Sequence, residues 1–532
     1  MKATKHTYES TGKFSHLFLD YVKADPFLND FYVHRPSLAA FADAIKARKA
    51  KDTDRGILAE ALTAQYSRQA PEWSSSVQEL IQTLRSSDTF TITTGHQLNL
   101  FTGPLYSIYK IATVVKMASE LKKEFRDCNF IPVFWMATED HDYEEISSLN
   151  IGSSSFKWTP GFPPAACGGL PVNGMIDFIE EIRKASGDSD LFRALAECYR
   201  TSTDLAQATR RMVHYLFQGS PLLVIDGNDP LLKSRFVVEM LDDAFSNNAH
   251  RLVSETASVM EGRYDVQVTP REINLFYLEA ENRGRIVSHP DRGYEVTGSS
   301  KTFTSADLEA EIREHPERFS PNVIMRPLYQ EKILPDLAYV GGPGEIAYWL
   351  ELKTVFEHYK IPFPVLMPRC SFLIADHVSV RKASKLGLKP EDLFAGREAL
   401  IRKLVAAPDA LNAGLDRLKN ELTGSFDSIA GLIKDVDQTL LASLEGEKQK
   451  SLKSVALLEE KVIRALKRKH ENTITQLDGL LARLMPSGSL QERHQNILAI
   501  TGDRKFVDEI IAACDPFGLS FDILLTDEPS SV

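Results

Sequence analysis

The chain has 532 residues, of which 43% are hydrophobic and 25% charged, and its formal net charge is -11 at pH 7. This length exceeds what a single hydrophobic core serves, so two or three domains are expected. The acidic balance argues against nucleic acid as the main partner. Five scattered cysteines without CxxC spacing argue against a disulfide framework and a structural zinc site. A polar N-terminus and the lack of a long apolar run predict a cytoplasmic protein without a membrane span.

A mainly helical segment over residues 1–90 precedes residues 91–123, which predict a buried strand, a glycine-bearing loop and a helix from Leu105. Such a unit opens a parallel α/β sheet, whose ligands lie beyond the carboxyl ends of the strands. Its candidate binding residues for a phosphate or an amino acid are His96, Gln97, Asn99, Thr102, Gly103 and Lys110. Two structural readings stay open: His96 as a loop hydrogen-bonding residue, and Lys110 as a solvated side chain facing away from the buried stripe.

The almost continuous apolar run from Phe130 to Met136 predicts a central strand that is covered on both faces. A dense polar cluster follows it and supplies the candidate catalytic residues Glu139, Asp140, His141 and Asp142. Three interpretations remain open for this cluster: a metal site, amine or hydroxyl binding with general-base work, and structural capping. Because successive side chains of an extended chain point in alternate directions, the four cannot all reach one ion.

Two insertion-like regions follow. Residues 147–218 are loop-rich and then helical, whereas residues 262–318 alternate like strands and hairpins before a closing helix. Between them, Leu222–Ile225 predicts another buried strand that ends in Asp226. Strands that alternate with helices in this way predict a parallel sheet.

A glycine-rich loop near residue 342 joins a predicted strand, Leu337–Val340, to a predicted helix. The loop is either a plain tight turn or a ligand cradle. Its candidate binding residues are Gly341, Gly342, Gly344, Glu345 and Tyr348. Arg271 and Arg326 either pair with an anionic substrate or form structural salt bridges. Pro364–Met367 predicts the last strand of the sheet.

Residues 373–488 carry apolar side chains in steps of three and four, which predict two long antiparallel helices of a coiled-coil arm. The turn between the helices is expected near Gly446. Because the apolar seam of such an arm needs a partner, a homodimer through the arm is expected. Residues 489–532 are expected to pack back on the core.

Four long stretches resemble the bacillithiol biosynthesis cysteine-adding enzyme family: TTGHQLNLFTGPLYSIYKIATVVKMA, PVFWMATEDHDYEEI, LLVIDGNDP and SPNVIMRPLYQEKILPDLAYVGGPGEIAYWLELKTVFEHYKIPFPVLMPR. The resemblance spans essentially the whole chain. It implies an α/β protein whose Rossmann-like parallel-sheet core, residues 1–372, carries inserted segments at about 147–218 and 262–318. It also implies a C-terminal antiparallel α-helical coiled-coil domain that mediates dimerisation.

The resemblance further implies the last step of bacillithiol biosynthesis, in which a cysteine ligase joins cysteine to the glucosamine amine of glucosaminyl-malate. How the cysteine carboxylate is activated stays open, with ATP or another nucleotide among the candidates, and so does the need for a metal. Two other function classes also stay open: a nucleotide-binding regulatory module and a coiled-coil scaffold without catalysis. Carboxylates concentrated at strand ends argue against the scaffold.

Amide formation needs an activated acyl group, a neutral amine and a base that takes its proton. The carboxylates and the imidazole of residues 139–142 are therefore expected to hold the glucosamine hydroxyls and amine. Lys110, Arg326 and the amides of Gly341–Gly344 are expected to bind malate carboxylates or phosphates.

Overall fold

The computed structural model describes residues 1–69, 75–161, 166–290, 293–405 and 409–526. The chain divides into two compact units: the first comprises Met1–Asp376 and Ser489–Val532, and the second comprises His377–Gly488. In chain order, the strands are β1 (Lys2–His6), β2 (Thr89–His96), β3 (Asn129–Met136), β4 (Ser148–Ile151), β5 (Ser154–Lys157), β6 (Leu223–Asp226), β7 (Leu275–Glu279), β8 (Asn282–His289), β9 (Gly293–Val296), β10 (Thr302–Phe303), β11 (Phe319–Pro321), β12 (Asp336–Gly341), β13 (Val365–Pro368), β14 (Ser371–Asp376) and β15 (Phe521–Thr526).

The helices surround these strands and make up most of the second unit. In chain order, they are α1 (His16–Lys23), α2 (Ala40–Lys49), α3 (Arg55–Gln69), α4 (Ser75–Thr83), α5 (Tyr106–Glu124), α6 (Tyr143–Ile146), α7 (Ile176–Ser186), α8 (Asp190–Arg200), α9 (Leu205–Leu216), α10 (Pro230–Lys233), α11 (Val237–Ser246), α12 (Asn248–Met260), α13 (Ser305–Glu314), α14 (Met325–Ile333), α15 (Pro343–Trp349), α16 (Lys353–Tyr359), α17 (His377–Lys385), α18 (Arg397–Leu404), α19 (Asp409–Val436), α20 (Leu440–Lys469), α21 (Glu471–Leu484) and α22 (Lys505–Ala513).

The core of the first unit is a parallel sheet with the strand order β13-β12-β2-β3-β6. Its strands are buried along almost their whole length, as the apolar runs predict for parallel strands covered on both faces. Helix α5 packs on β2 and β3. The predicted Rossmann-like fold class is confirmed, and the predicted strand and helix ends in this sheet mostly lie within one or two residues of those observed.

The segment between β6 and β12 builds a second sheet, which is antiparallel and has the order β10-β9-β8-β7-β11. In it, Arg283 lies opposite Leu278, and Arg285 lies opposite Phe276. Since side chains alternate along a strand, the two arginines share one face of β8. Both positive charges therefore lie on the same side of the antiparallel sheet.

The two ends of the chain meet in a small third sheet. Strand β15 pairs with β1 in the antiparallel sense and with β14 in the parallel sense. Helix α22 packs on α5. The C-terminal segment thereby belongs to the same compact unit as the parallel sheet.

The long helices α19 and α20 of the second unit run antiparallel, as ion pairs from Lys419 to Glu459 and from Lys448 to Asp427 show. The expected turn near Gly446 was wrong, because Gly446 lies inside α20. The chain instead turns at residues 437–439, where the Asp437 carboxylate accepts hydrogen bonds from the amide and hydroxyl of Thr439. Aspartate and threonine side chains compete with helical hydrogen bonds in this way, whereas a helix tolerates a single glycine.

Within the described ranges, none of the helices combines the length and the apolar character that crossing a bilayer requires.

Candidate active site

A cavity of about 940 Å³ lies at the carboxyl ends of the parallel strands, where an α/β fold places its ligands. The residues around it come from the loops after β2, β3, β12 and β13 and from the antiparallel sheet. Those with functional groups of interest are His96, Gln97, Tyr106, Lys110, Glu139, Asp140, Glu145, Arg271, Asn274, Arg283, Arg285, Ser320, Asn322, Arg326, Tyr339, Gly342, Gly344, Glu345, Tyr348, Arg369 and Arg493.

Glu345 is held as a carboxylate at one side of the cavity. One of its oxygens accepts hydrogen bonds from the Gly342 amide at 2.8 Å and from Lys110 at 2.6 Å, and the other accepts from the Tyr339 hydroxyl. Burial acts to raise the pKa of Glu345, but the Lys110 ammonium group and these hydrogen bonds outweigh it and lower that pKa to about 2. Glu345 is therefore ionised at neutral pH.

Lys110 is buried, so the prediction of a solvated side chain facing away from the apolar stripe was wrong. Helix α5 is buried around most of its circumference, and no face near Lys110 is open to solvent. Its ammonium group donates to the Gly95 carbonyl and pairs with Glu345. Burial lowers the pKa of Lys110, which Glu345 opposes. Lys110 therefore holds the Glu345 carboxylate in position.

Gln97 joins two carboxylates on the side of the cavity that follows β3. Its amide donates to Asp140 at 3.0 Å and to Glu145 at 2.6 Å. Burial acts to raise the pKa of Asp140, but the contacts with His141 and Gln97 outweigh it and hold that pKa well below its usual range. Asp140 and Glu145 thus form the acidic side of the cavity, and Glu145 had not been predicted.

The other members of the 139–142 cluster point at separate partners. Glu139 pairs with the buried Lys233, and His141 lies outside the cavity lining, where its Nδ1 accepts from Arg283 at 2.9 Å. Asp142 also lies outside the lining and caps α6 by accepting from the Glu145 amide at 3.2 Å. Among the described residues, no group of three or more His, Cys, Asp or Glu is arranged to hold a metal ion. These residues follow β3 in a turn, in which the Asp140 amide donates to the Ala137 carbonyl at 3.2 Å, and not in an extended strand.

The loop after β2 divides between the cavity and the interior. His96 lines the cavity, and burial lowers its pKa to about 3, so its ring is neutral and its Nε2 accepts from the Asn99 amide at 2.8 Å. Asn99, Thr102 and Gly103 lie outside the lining. Gly103 has φ of +63°, and its carbonyl accepts from Asn496 at 2.7 Å. These three residues shape the loop and do not face the cavity.

The antiparallel sheet contributes a cationic side to the cavity. Arg283 and Arg285 project from the same face of β8, and Arg271 lies just before β7. Arg283 stacks on Phe276 at 3.9 Å and donates to the Ser320 hydroxyl at 3.0 and 3.1 Å, which fixes its position. Of the three, only Arg271 was named from the sequence. The period-two spacing of Arg283 and Arg285 was the signal that could have found the others.

Arg369 and Arg493 complete the basic lining near the end of β13. Arg369 forms a buried bidentate ion pair with Glu492, with distances of 2.7 and 3.0 Å. Neither arginine had been predicted, although Arg369 lies two residues after the predicted strand Pro364–Met367 and directly follows the observed β13. Of the residues proposed in the loop after β12, Gly341 lies outside the lining, and its carbonyl accepts from the Arg369 amide at 2.9 Å.

Sequence models of two domains match this chain. The first is the N-terminal Rossmann-like domain of bacillithiol biosynthesis BshC, over residues 1–370. The second is the C-terminal coiled-coil domain of the same proteins, over residues 372–526. The chain belongs to the BshC family. The family resemblance found in the sequence is thereby confirmed.

Relatives of full length carry the provisional name cysteine ligase BshC. The relative from Flavobacterium johnsoniae is 36% identical over 527 residues, which cover 97% of this chain and 98% of that protein. The relative from Cytophaga hutchinsonii is 36% identical over 510 residues and covers 96% of both chains. A solved chain from Campylobacter jejuni, assigned as an arginyl-tRNA synthetase, covers 82% of this chain and 96% of its own length at 10% identity. Its TM-score of 0.21 is too low to carry an argument.

Proposed function

We propose that this BshC-family protein is a cysteine ligase that joins cysteine to the glucosamine amine of glucosaminyl-malate, as the last step of bacillithiol biosynthesis. The observation that carries the proposal is the charge layout of the cavity lining, in which Asp140 and Glu145 follow β3, whereas Arg271, Arg283 and Arg285 come from the antiparallel sheet or the segment just before it. A substrate with an amine at one end and two carboxylates at the other matches this layout. The volume of about 940 Å³ is large enough for two small polar substrates.

Asp140 is the proposed general base. Its carboxylate is ionised, half of its hydrogen-bonding capacity is taken by Gln97 and the Asp142 amide, and it lies beside Glu145. An ionised carboxylate at this position binds the glucosamine amine. The ammonium form loses one proton to solvent, the neutral amine attacks the activated acyl group, and Asp140 accepts the second proton, which the nitrogen loses as the amide forms. This role replaces the wider expectation that all four residues from 139 to 142 hold the sugar.

The three arginines of the antiparallel sheet are the proposed malate-binding residues. Guanidinium groups bind carboxylates through pairs of parallel hydrogen bonds, and Arg283 is held in place by Phe276 and Ser320. Lys110, which had been expected to bind malate carboxylates, is not assigned to them, because its ammonium group is buried against Glu345.

The cysteine carboxylate must be activated before an amine can attack it. ATP and other nucleotides are the proposed activators, and no residue is assigned to them. Replacing ATP in the reaction by other nucleoside triphosphates, and following release of diphosphate or phosphate, identifies the activator.

Mass spectrometry of thiols in a bacillithiol-deficient deletion strain tests the proposal. The strain receives this chain, the Asp140→Asn variant or empty vector, and glucosaminyl-malate and bacillithiol are quantified together. Restored bacillithiol with consumption of glucosaminyl-malate supports the function. Soluble protein with accumulated glucosaminyl-malate and no bacillithiol contradicts it.

We also propose that the coiled-coil arm mediates a homodimer. Apolar side chains of α19 and α20 are exposed in the single chain, among them Leu432 at 70% and Val436 at 82%. Such a seam is stabilised by pairing with another helix. Light scattering after gel filtration is expected to give the mass of a dimer, and Leu432→Lys with Val436→Lys is expected to give a monomer. A monomeric wild-type protein contradicts the proposal.

A further inference from the structure

The side of the cavity beneath the loop after β12 contains one anionic and one cationic group whose hydrogen-bonding capacity is incompletely used. The anionic group is Glu345, whose side chain is 27% exposed and lines the cavity. Its Oε2 accepts two hydrogen bonds, whereas its Oε1 accepts one, from Tyr339. A carboxylate oxygen accepts two, so Oε1 retains capacity for a ligand.

The cationic group is Arg326 of α14. Within the described residues, its guanidinium group donates to Gln330 at 3.2 Å and to Tyr348 at 3.4 Å. An arginine carries five N–H donors, so donors remain for a ligand in the cavity. Arginine stays charged at every physiological pH.

Tyr339 holds these two groups apart at a fixed spacing. Its ring centroid lies 5.9 Å from Arg326 Cζ, and its hydroxyl donates to Glu345. The ring stacks on the buried Trp349 with 4.4 Å between centroids, so it is fixed in turn. The Tyr339 ring therefore separates a negative group from a positive group, and a small molecule that carries both charges can contact both groups.

We propose that Glu345 and Arg326 form the subsite for a zwitterionic α-amino acid, with the ammonium group on Glu345 and the carboxylate on Arg326. The subsite is formed by other residues than the three arginines assigned to malate, and it rests on the proposed function for the identity of the amino acid, which is cysteine. Lys110 is a positioning residue, because it holds Glu345 without itself offering a charge to the ligand.

Gly95 borders the subsite, so a small substitution at this position is expected to block it. A Cβ added at Gly95 lies 3.7 Å from Arg326 Nη1 and 3.6 Å from Trp135, which are ordinary contact distances. The Gly95→Ala variant is therefore expected to fold, while its methyl group occupies space next to Arg326. Gly174→Ala is the control, since nothing lies within 4 Å of its added Cβ and Gly174 lies outside the cavity lining.

Titration calorimetry in the presence of a reductant tests the subsite without requiring turnover. The probes are L-cysteine, N-acetyl-L-cysteine, which lacks the ammonium charge, and cysteamine, which lacks the carboxylate. Each analogue is expected to bind about tenfold or more weakly than cysteine. Glu345→Gln is expected to weaken cysteine about tenfold and leave N-acetyl-cysteine unchanged, whereas Arg326→Gln weakens cysteine and leaves cysteamine unchanged. Gly95→Ala is expected to weaken cysteine binding, and Gly174→Ala is expected to leave it unchanged.

Any one of the following binding results overturns the inference: equal binding of cysteine and N-acetyl-cysteine, unchanged cysteine affinity in folded Glu345→Gln and Gly95→Ala, or absence of cysteine binding with and without glucosaminyl-malate. Displacement of cysteine by inorganic phosphate at equal concentration also overturns it, since it assigns the site to phosphate. Cysteine binding in a protein that makes no bacillithiol contradicts the proposed function and leaves the subsite standing. Bacillithiol synthesis with an unchanged cysteine KM in Glu345→Gln and Gly95→Ala supports the proposed function and overturns the subsite.

Discussion

Replacing Glu492 by glutamine is expected to destabilise the first unit by about 3 kcal/mol or more. Arg369 and Glu492 are buried, with side chains 3% and 0% exposed, and two hydrogen bonds of 2.7 and 3.0 Å join them. Glu492 also accepts from the Phe372 amide at 3.0 Å, at the start of β14. Glutamine keeps the volume but leaves the guanidinium group buried without a counter-charge. Such a loss costs about 3 to 5 kcal/mol in measured cases.

Urea unfolding followed by tryptophan fluorescence measures this cost. The four tryptophans of the chain all precede His377, so their fluorescence reports the first unit. Glu309→Gln is the matched control, because Glu309 pairs with Arg313 on the surface, and exposed helix pairs contribute only about 0.3 to 0.5 kcal/mol. The double variant Arg369→Met with Glu492→Leu is expected to recover much of the loss, since apolar replacements of a buried pair are often neutral. A Glu492→Gln cost below about 1 kcal/mol would refute the reasoning.

Three further predictions concern the cavity. Asp140→Asn is expected to lower kcat/KM about 100-fold in a coupled ligation assay, whereas Glu144→Gln, an exposed partner of Lys157 outside the lining, is expected to change it little; equal losses would contradict the base assignment. Arg283→Gln and Arg285→Gln are each expected to raise the KM for glucosaminyl-malate about tenfold and to leave the cysteine KM unchanged, as initial rates will show. His96 has a folded-state pKa of about 3, so the folded chain binds fewer protons than the unfolded chain below pH 6.5. The stability contributed by the neutral His96 ring is therefore present above pH 6.5 and is lost as the pH falls toward 3. Urea unfolding gives the free energy of unfolding at pH 7 and at pH 4.5. The difference between these two free energies is expected to be smaller for His96→Gln than for the wild-type protein.

The position of the cavity could be predicted because the relevant signal is local. Polar residues that directly follow an apolar run lie at the carboxyl end of a buried strand, and parallel strands bring those ends together. Asp140 was found in this way, Glu345 was found from the glycine-rich loop that follows a predicted strand, and both line the cavity. The same rule also covers Arg369, which follows β13 but was not selected.

The partners of those residues could not be predicted, because they depend on tertiary packing. Helical periodicity suggested an exposed Lys110, yet α5 lies in the interior on nearly every side, and burial then requires an ion pair with Glu345. Asn99 and Thr102 sit in the right loop, but the loop turns them away from the cavity. A sequence pattern places a residue on an element, whereas the facing element decides what that residue contacts.

The unpredicted arginines place the inserted sheet at the cavity, because Arg283 and Arg285 both line it. Asp140 follows β3 of the parallel sheet, Arg283 lies on β8 of the antiparallel sheet, and His141 links them through its hydrogen bond with Arg283. A core without the inserted sheet would keep Asp140 and Glu145 but would lack Arg283 and Arg285, two of the arginines proposed for the carboxylates of the substrate. Because the two charges come from separate sheets, their spacing depends on how those sheets pack. The substrate length that fits the two proposed binding groups therefore depends on tertiary packing, which the sequence of neither strand encodes alone.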